Sequence, residues 1–406
     1  MAIWSSPMTV SATSQSPRMT PALTALMAVG SGISVASNYY TQPLLALFVQ
    51  VFHISIGHAG LLVTCSQVGY ICGLIFLVPL GDRLERRKLI TGTSLLTAAG
   101  LLGMGLSPGF PWMLAAAVCV GFTSVTAQIL VPLAAHLASP ERRGRTVSLV
   151  MSGLLMGILL ARTFAGVIAD AAGWRAVFLL ASVLMVVFAA LCWRMLPAIT
   201  PTSGGSYGAL LASVARLFGQ QPVLRRRSLI GGLNFAAFAA LWTTLAFLLK
   251  ARYGYGEAAI GLFGLIGAAG ALCAQVAGRL ADAGYNRQAT GGFILLGVLG
   301  WGLLYLGADS QAALIAGIVL LDLGVQGTHI SNQSAIYALD PAARSRLTTG
   351  YMSSYFLGGA AGSALGAWAY SFADWAGVCV VGGSVCVLAL LRWAVSEARG
   401  ANVSAA

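Results

Sequence analysis

Two ionisable side chains stand inside long apolar runs that otherwise exclude charge: Arg162 and Asp322. A charge in lipid is costly and is retained chiefly where it meets a solute, an ion or an opposite charge. At 1.5 Å per helical residue they lie roughly 24 Å and roughly 20 Å from the basic ends of their helices, so they can share one depth. Burial favours a neutral acid and a nearby guanidinium favours the carboxylate, and these opposed pulls can make a proton switch that toggles with conformation. A structural pair that neutralises both charges is the alternative. Gln326, His329 and Gln333 follow Asp322 at i+4, i+7 and i+11, forming one polar stripe on an apolar helix. His329 joins the proton-coupling set by register, with a packing histidine as the competing reading. Ser34, Asn38 and Gln42 repeat at i, i+4 and i+8 on the first apolar run, and Pro43 can bend it there. Such amides can line a cavity or hydrogen-bond between helices, where each contributes about 0.6 kcal/mol on average.

The elements that must position these groups follow from composition. Of 406 residues, 58% are hydrophobic and 8% charged, against roughly 25% charged in a soluble domain. That excludes an ordinary soluble enzyme, and lipid is the indicated solvent. The net charge of +12 arises from short basic clusters between apolar runs, so a nucleic-acid partner is set aside. Cys65, Cys72, Cys119, Cys192, Cys273, Cys379 and Cys386 lie in apolar runs without metal-site spacing, and neither metal nor cofactor is expected. No secretory signal follows the Ser/Thr/Met-rich start, so the first helix is expected to be retained.

Apolar runs bounded by charges or turn residues give twelve expected spans: 22–50, 58–80, 89–106, 112–137, 146–169, 176–195, 228–249, 258–280, 288–307, 310–336, 347–371 and 375–394. With the amino terminus inside, almost all basic residues fall on the cytoplasmic side, and only Arg175, Lys250 and Arg252 fall outside. Both termini are then cytoplasmic. The expected divisions are a tail at 1–20, a six-helix half at 21–196, a linker at 197–227, a second half at 228–396 and a tail at 397–406. A shift of 201 positions aligns Pro140 with Pro341, Arg143 with Arg344, Gly157 with Gly358 and Trp174 with Trp375, which indicates an internal repeat. Two even-numbered halves enter the membrane from the same side, as in transporters built from parallel repeats.

Between spans 2 and 3 stands Gly81-Asp82-Arg83-Leu84-Glu85-Arg86-Arg87-Lys88, with a degenerate copy at Gly278-Arg279-Leu280-Ala281-Asp282. On these motifs the chain after residue 20 resembles the major facilitator superfamily, in its twelve-helix bacterial, drug/proton antiporter-like branch. Val78 and Glu85 stand where the family's loop has glycines. The resemblance implies an all-α membrane protein of two pseudosymmetric six-helix bundles. It implies a cytoplasmic gate in which Asp82 meets the start of span 11 and Asp282 that of span 5, while Arg83, Arg86 and Arg87 pair with acids such as Glu141. Plain anchoring of helix ends is the alternative. It also implies that spans 1, 4, 7 and 10 line a central cavity, so Gln128, Asn234 and Trp242 join Asn38, Gln42, Gln326 and Gln333 as cavity groups. The family's antiporter motif is similar to Gly153–Arg162, but Ile158 replaces its Pro and Ala161-Arg162 its Gly pair, and packing better explains these glycines. Tyr39, Tyr40 and Trp301 are taken as interfacial or packing aromatics.

The functional expectation is proton-coupled export of a small, partly hydrophobic molecule by a monomer in a bacterial inner membrane, with lipid, protons and the solute as partners. Uptake by proton symport is the alternative. A membrane-embedded enzyme or receptor is a third class, disfavoured because no nucleophile with its base, metal-ligand set or phosphate-cradling loop is present.

Overall fold

The computed structural model describes residues 19–139, 141–199, 207–267, 276–277, 279–280, 283–340 and 343–403. In chain order the helices are α1 Pro21–Ala36, α2 Leu45–Phe52, α3 Ile56–Phe76, α4 Arg86–Gly105, α5 Phe110–Thr123, α6 Thr126–Leu137, α7 Arg143–Ala172, α8 Trp174–Met195, α9 Tyr207–Gln220, α10 Pro222–Tyr253, α11 Glu257–Leu262, α12 Asn286–Leu306, α13 Gln311–Tyr337 and α14 Arg344–Val403. No strand occurs among the described residues. Helix starts follow local chemistry. Thr20, Ser55 and Ser310 cap α1, α3 and α13 by accepting from Leu23, His58 and Ala313 N–H groups at 3.2–3.3 Å. Pro21 and Pro222 occupy first turns, where no N–H is needed.

Among the described residues, eight helical stretches are long and apolar enough to cross a membrane by length and composition. One of them holds two spans, because α14 breaks at Ala373 and Asp374. With α4 and the shorter apolar helices of the first and eighth spans, twelve crossings are accounted for. Trp112, Trp193, Trp368 and Phe372 are more than half exposed on the perimeter. Apolar surface on that scale suits lipid, not water.

The repeat is visible in the packing. In the first half Gly153 and Gly157 of α7 meet Ala28 and Gly32 of α1; in the second, Gly358 and Gly362 of α14 meet Gly232 and Ala236 of α10. A side chain at these glycines would collide with backbone, so the close crossing depends on them. Gly173 turns the chain into α8 with φ 84°, and Asp374, its equivalent by the 201-residue shift, turns α14 with φ 52°. The buried Trp174 and Trp375 follow directly.

The halves meet along α3 and the first part of α14, where Gln67 Nε2 donates to Ser363 Oγ at 3.3 Å and the Tyr70 and Phe356 rings lie 4.3 Å apart. They meet again along α7 and α11, where Thr163 Oγ1 donates to the Gly261 carbonyl at 3.1 Å. On the face opposite the arginine-rich loops, Lys250 pairs with Glu257 at 3.0 Å and Arg252 with Asp374 at 3.2 Å. The stretch taken from sequence as a 197–227 linker carries α9, and α10 begins within it at Pro222. The cause is local: Leu211, Val214, Leu217 and Phe218 recur at helical spacing, and Val214 and Phe218 close over Gly350. The Tyr207 hydroxyl donates to the Phe76 carbonyl at 2.7 Å, tying α9 to the first half.

Candidate functional site: an arginine, a tryptophan and an aspartate buried among the spans

Three spans lose regular helix geometry near their middles. The first turns from α1 through Ser37–Thr41 into a 3₁₀ turn, Gln42–Leu44; the fourth breaks at Ser124 and Val125; the eighth passes from α11 into a 3₁₀ segment, Phe263–Gly267. Pro43 lacks the N–H that a continuous first helix would need. In the eighth span Gly261, Gly264 and Gly267 recur every three residues, the period at which 3₁₀ side chains eclipse. They therefore form one bare row facing α7 and α13.

Against that row lies Arg162, on α7 and 4% exposed. Its Nε donates to Gln42 Oε1 at 2.7 Å. Its guanidinium carbon lies 3.8 Å from the ring centre of Trp242, 5.1 Å from that of Tyr39 and 5.9 Å from that of Phe238. A desolvated cation on an aromatic face gains about 2 kcal/mol. Nη2 has no hydrogen-bond partner. At the edge of the same ring, the Trp242 Nε1–H points to Asp322 Oδ1 at 3.4 Å. Asp322 is 3% exposed.

Arg162 and Asp322 therefore both lie against Trp242, one on its face and one at its Nε1 edge, and no ion pair within 4.0 Å joins them. A Cβ at Gly264 would fall 2.7 Å from the Arg162 Cβ, and one at Gly267 2.7 Å from Asp322 Oδ2. The close fit of the eighth span over Arg162 therefore depends on glycine at 264, and a side chain at 267 would have to displace the Asp322 carboxylate. Neither this row nor the contact of Trp242 with both charged groups is read from sequence, although the three-residue glycine spacing is visible there.

A cavity of about 10 Å³, room for about one water, adjoins these groups. Asn38, Tyr39, Gln42, Gln67, Phe235, Phe238, Ala239 and Phe356 line it. Of the expected cavity groups Asn38 and Gln42 are in its wall and Trp242 stands directly behind. Asn38 also knits three spans, donating to Ser124 Oγ at 2.6 Å and accepting from Ser66 Oγ at 2.8 Å. Gln128 Nε2 donates to the Tyr70 hydroxyl at 3.3 Å. Asn234 Nδ2 donates back to its own helix at Ile230, leaving Oδ1 unpaired. Gln326 and Gln333 are half-buried. His329 faces away from the carboxylate: its Nδ1 is 3.0 Å from the Tyr351 hydroxyl and its ring packs on Tyr355. Tyr39, taken as an interfacial or packing aromatic, is instead in the cavity wall. Gln67, Phe235, Phe238 and Phe356 are further wall residues, and nothing distinguishes them in sequence from other residues of apolar spans.

In the loop after α3, Arg86 Nε donates to the Gly81 carbonyl at 3.1 Å, and Glu85 pairs with Arg87 at 3.1 Å and Lys88 at 3.0 Å. Arg87 also covers the Trp193 ring at 4.8 Å. The Lys88 hydrogen bond, with the Lys88 and Arg87 charges, holds the Glu85 carboxyl below the usual glutamate range against the opposing pull of desolvation. Arg83 is exposed. Glu141 is exposed and held low by hydrogen bonds from its own backbone N–H and from Ser139. The Asp82 side chain and Asp282 lie outside the described residues. Among the described residues, no group of three or more His, Cys, Asp or Glu side chains is placed to hold a metal.

The model of the Major Facilitator Superfamily matches residues 27–341. The Uncharacterized transporter YgaY of Escherichia coli O157:H7 is 50% identical over 376 residues, covering 92% of this chain and 95% of that protein. The "Probable transporter SCO4007" of Streptomyces coelicolor is 34% identical over 376 residues, 92% of this chain and 87% of that one. Among solved structures, a bacterial homolog of the human lysosomal transporter Spinster, in an inward-facing and occupied conformation, superposes with a TM-score of 0.73 at 14% identity, covering 93% and 95% of the two chains.

Proposed function

This chain belongs to the major facilitator superfamily, and we propose that it is a proton-coupled exporter of a small, partly apolar organic molecule, with Asp322 carrying the proton. Its transporter class follows from the family and from relatives named as transporters; it is a multi-pass membrane protein and not an enzyme. The observation that carries the proton reading is the buried cluster around Trp242. Asp322 is a carboxyl held at mid-span by one long hydrogen bond from Trp242, with no ion partner in contact. Such a group can change protonation without breaking a salt bridge.

Coupling requires that the group face each side in turn. The irregular stretch of span 1 borders the pocket, those of spans 4 and 8 pack on Asn38 and Arg162, and all three offer bending points as the six-helix halves rock. The arginine loops form a cytoplasmic gate in this reading, made by Asp82, Arg83, Arg86, Arg87, Glu141 and Asp282. Arg87 here rests on Trp193 of its own half, which fits a gate not drawn across the halves. The basic loops support a cytoplasmic position for that face and for both termini, in a bacterial inner membrane, with the protein acting as a monomer.

Export is supported by the aromatic, weakly polar cavity wall. Uptake by symport is the second reading, supported by Arg162: an unpaired guanidinium N–H suits an anionic solute that travels with a proton. Counterflow in proteoliposomes under an imposed pH gradient separates them. Export by exchange predicts that solute moves against the proton gradient, symport that it moves with it; flux indifferent to the gradient contradicts proton coupling in either form.

A further inference from the structure

We propose that Arg162 is the anion-binding group of the transport pocket and that the solute is a small organic carboxylate with a flat apolar body. The inference rests on the reading of this pocket as the transport site.

A guanidinium offers five N–H donors in a planar fork that matches a carboxylate. Arg162 is 4% exposed, yet one donor is spent on the neutral Gln42 oxygen and Nη2 has no partner. Asp322 makes no ion pair with Arg162 within 4.0 Å; the guanidinium lies on the face of Trp242, 3.8 Å from the ring centre, and the carboxylate at the Nε1 edge of the same ring. The fold therefore holds a buried cation against aromatic faces with a donor that no protein group accepts. Buried charges are normally paired.

The adjoining wall supplies the rest of the recognition. Tyr39, Phe235, Phe238 and Phe356 present rings to the cavity, which suits a flat apolar body, and Gln67 Oε1 is a second buried atom without a partner. Tyr39, Gln42 and Phe238 both line the cavity and lie beside Arg162, so the water-sized space seen here marks where a carboxylate would reach the guanidinium once the halves part and Gln42 swings aside. A cationic solute meets the guanidinium's repulsion instead.

Charge balance links this site to Asp322. The site's own side chains, Arg162 and Asp322, supply one positive and one negative charge; with an anion on Arg162 and a proton on Asp322 the sum is the same. Loading both together carries no net charge into lipid, which is the charge balance of the symport reading and not of exchange. The groups facing Asp322 are Arg162 from α7, Trp242 from α10 and Tyr355 from α14, and Tyr39 faces Arg162 from the break in the first span.

The test uses three planar probes of one shape, benzoate, benzamide and benzamidinium, in equilibrium dialysis against the purified protein in lipid nanodiscs. Benzoate is expected to bind at least about tenfold more tightly than benzamide, with benzamidinium weakest. Arg162→Lys keeps part of that preference and Arg162→Gln removes it. Absence of a benzoate preference in the wild type overturns the proposal, as does a monodisperse Arg162→Gln protein that keeps it. The wild-type comparison decides even where a variant does not fold. Dialysis applies no pH gradient, so a benzoate preference combined with gradient-indifferent flux would remove the proton reading and leave the anion site standing.

Discussion

Trp242 offers its face to Arg162 and its edge to Asp322, and the two functions separate by substitution. Phe at this position keeps a ring for the guanidinium but removes the N–H that reaches Asp322. Losing that hydrogen bond is expected to cost about 1 kcal/mol, so Trp242→Phe should fold, melt slightly lower and show altered pH-driven flux. Ala removes both contacts and strands a buried charge, which costs about 3–5 kcal/mol; Trp242→Ala should be expressed poorly or melt far lower, as thermal unfolding in detergent would record. The loop acid makes a contrasting case. Glu85 is held below the ordinary glutamate range of about 4.3, so its clip to Lys88 and Arg87 is intact above that range and is lost only as pH falls through the lowered value. The pH profile of Glu85→Gln transport should therefore superimpose on that of the wild type near neutrality. Arg162 and Asp322 were legible in sequence because an ionisable residue in an apolar run has few innocent explanations. Tyr39, Phe235 and Phe356 were not, because an aromatic residue in a lipid span has many.

At the scale of the element, the eighth span shows why part of the site escaped the sequence. A helical reading searches for a period near four, and the row Gly261, Gly264, Gly267 has a period of three, which belongs to a 3₁₀ turn. Gly267→Val should place a side chain against Asp322 and reduce pH-driven flux sharply, while the fold away from this span stays intact by circular dichroism. The turns of the repeat support a prediction of the opposite sign. Asp374 occupies a positive-φ position where its counterpart is Gly173. Asp374→Gly relieves backbone strain of about 1–3 kcal/mol, at the loss of an exposed ion pair to Arg252 that contributes about 0–1 kcal/mol. A higher melting temperature is expected, and a lower one would show that the ion pair dominates. The glycine rows of α7 and α14 were legible as packing faces from their spacing of four. Helix α9 was obscured by the Pro, Ser and Gly residues just before it, although its own apolar residues recur at helical spacing.

For the molecule as a whole, the twelve spans, the tandem halves and the family were legible because lipid imposes length and charge rules on every crossing. What composition does not encode is which contacts between the halves are made at a given moment. In the arrangement described, they concentrate along α3 with α14 and α7 with α11. The ends of these contacts farthest from the arginine loops include Gly57 and Ser371, whose Oγ would lie 3.4 Å from a Cβ at Gly57. A Gly57→Cys, Ser371→Cys pair in a background without the native cysteines should crosslink under oxidation and stop transport until reduced. The central claim is that Asp322 carries a proton with each transport cycle, and it is tested most directly by a pH dye sealed inside proteoliposomes while solute flux is started outside. Wild-type protein should shift the internal pH in step with solute movement. Asp322→Asn should exchange solute in counterflow with no pH shift. A proton movement of wild-type size in the Asp322→Asn protein would contradict the account.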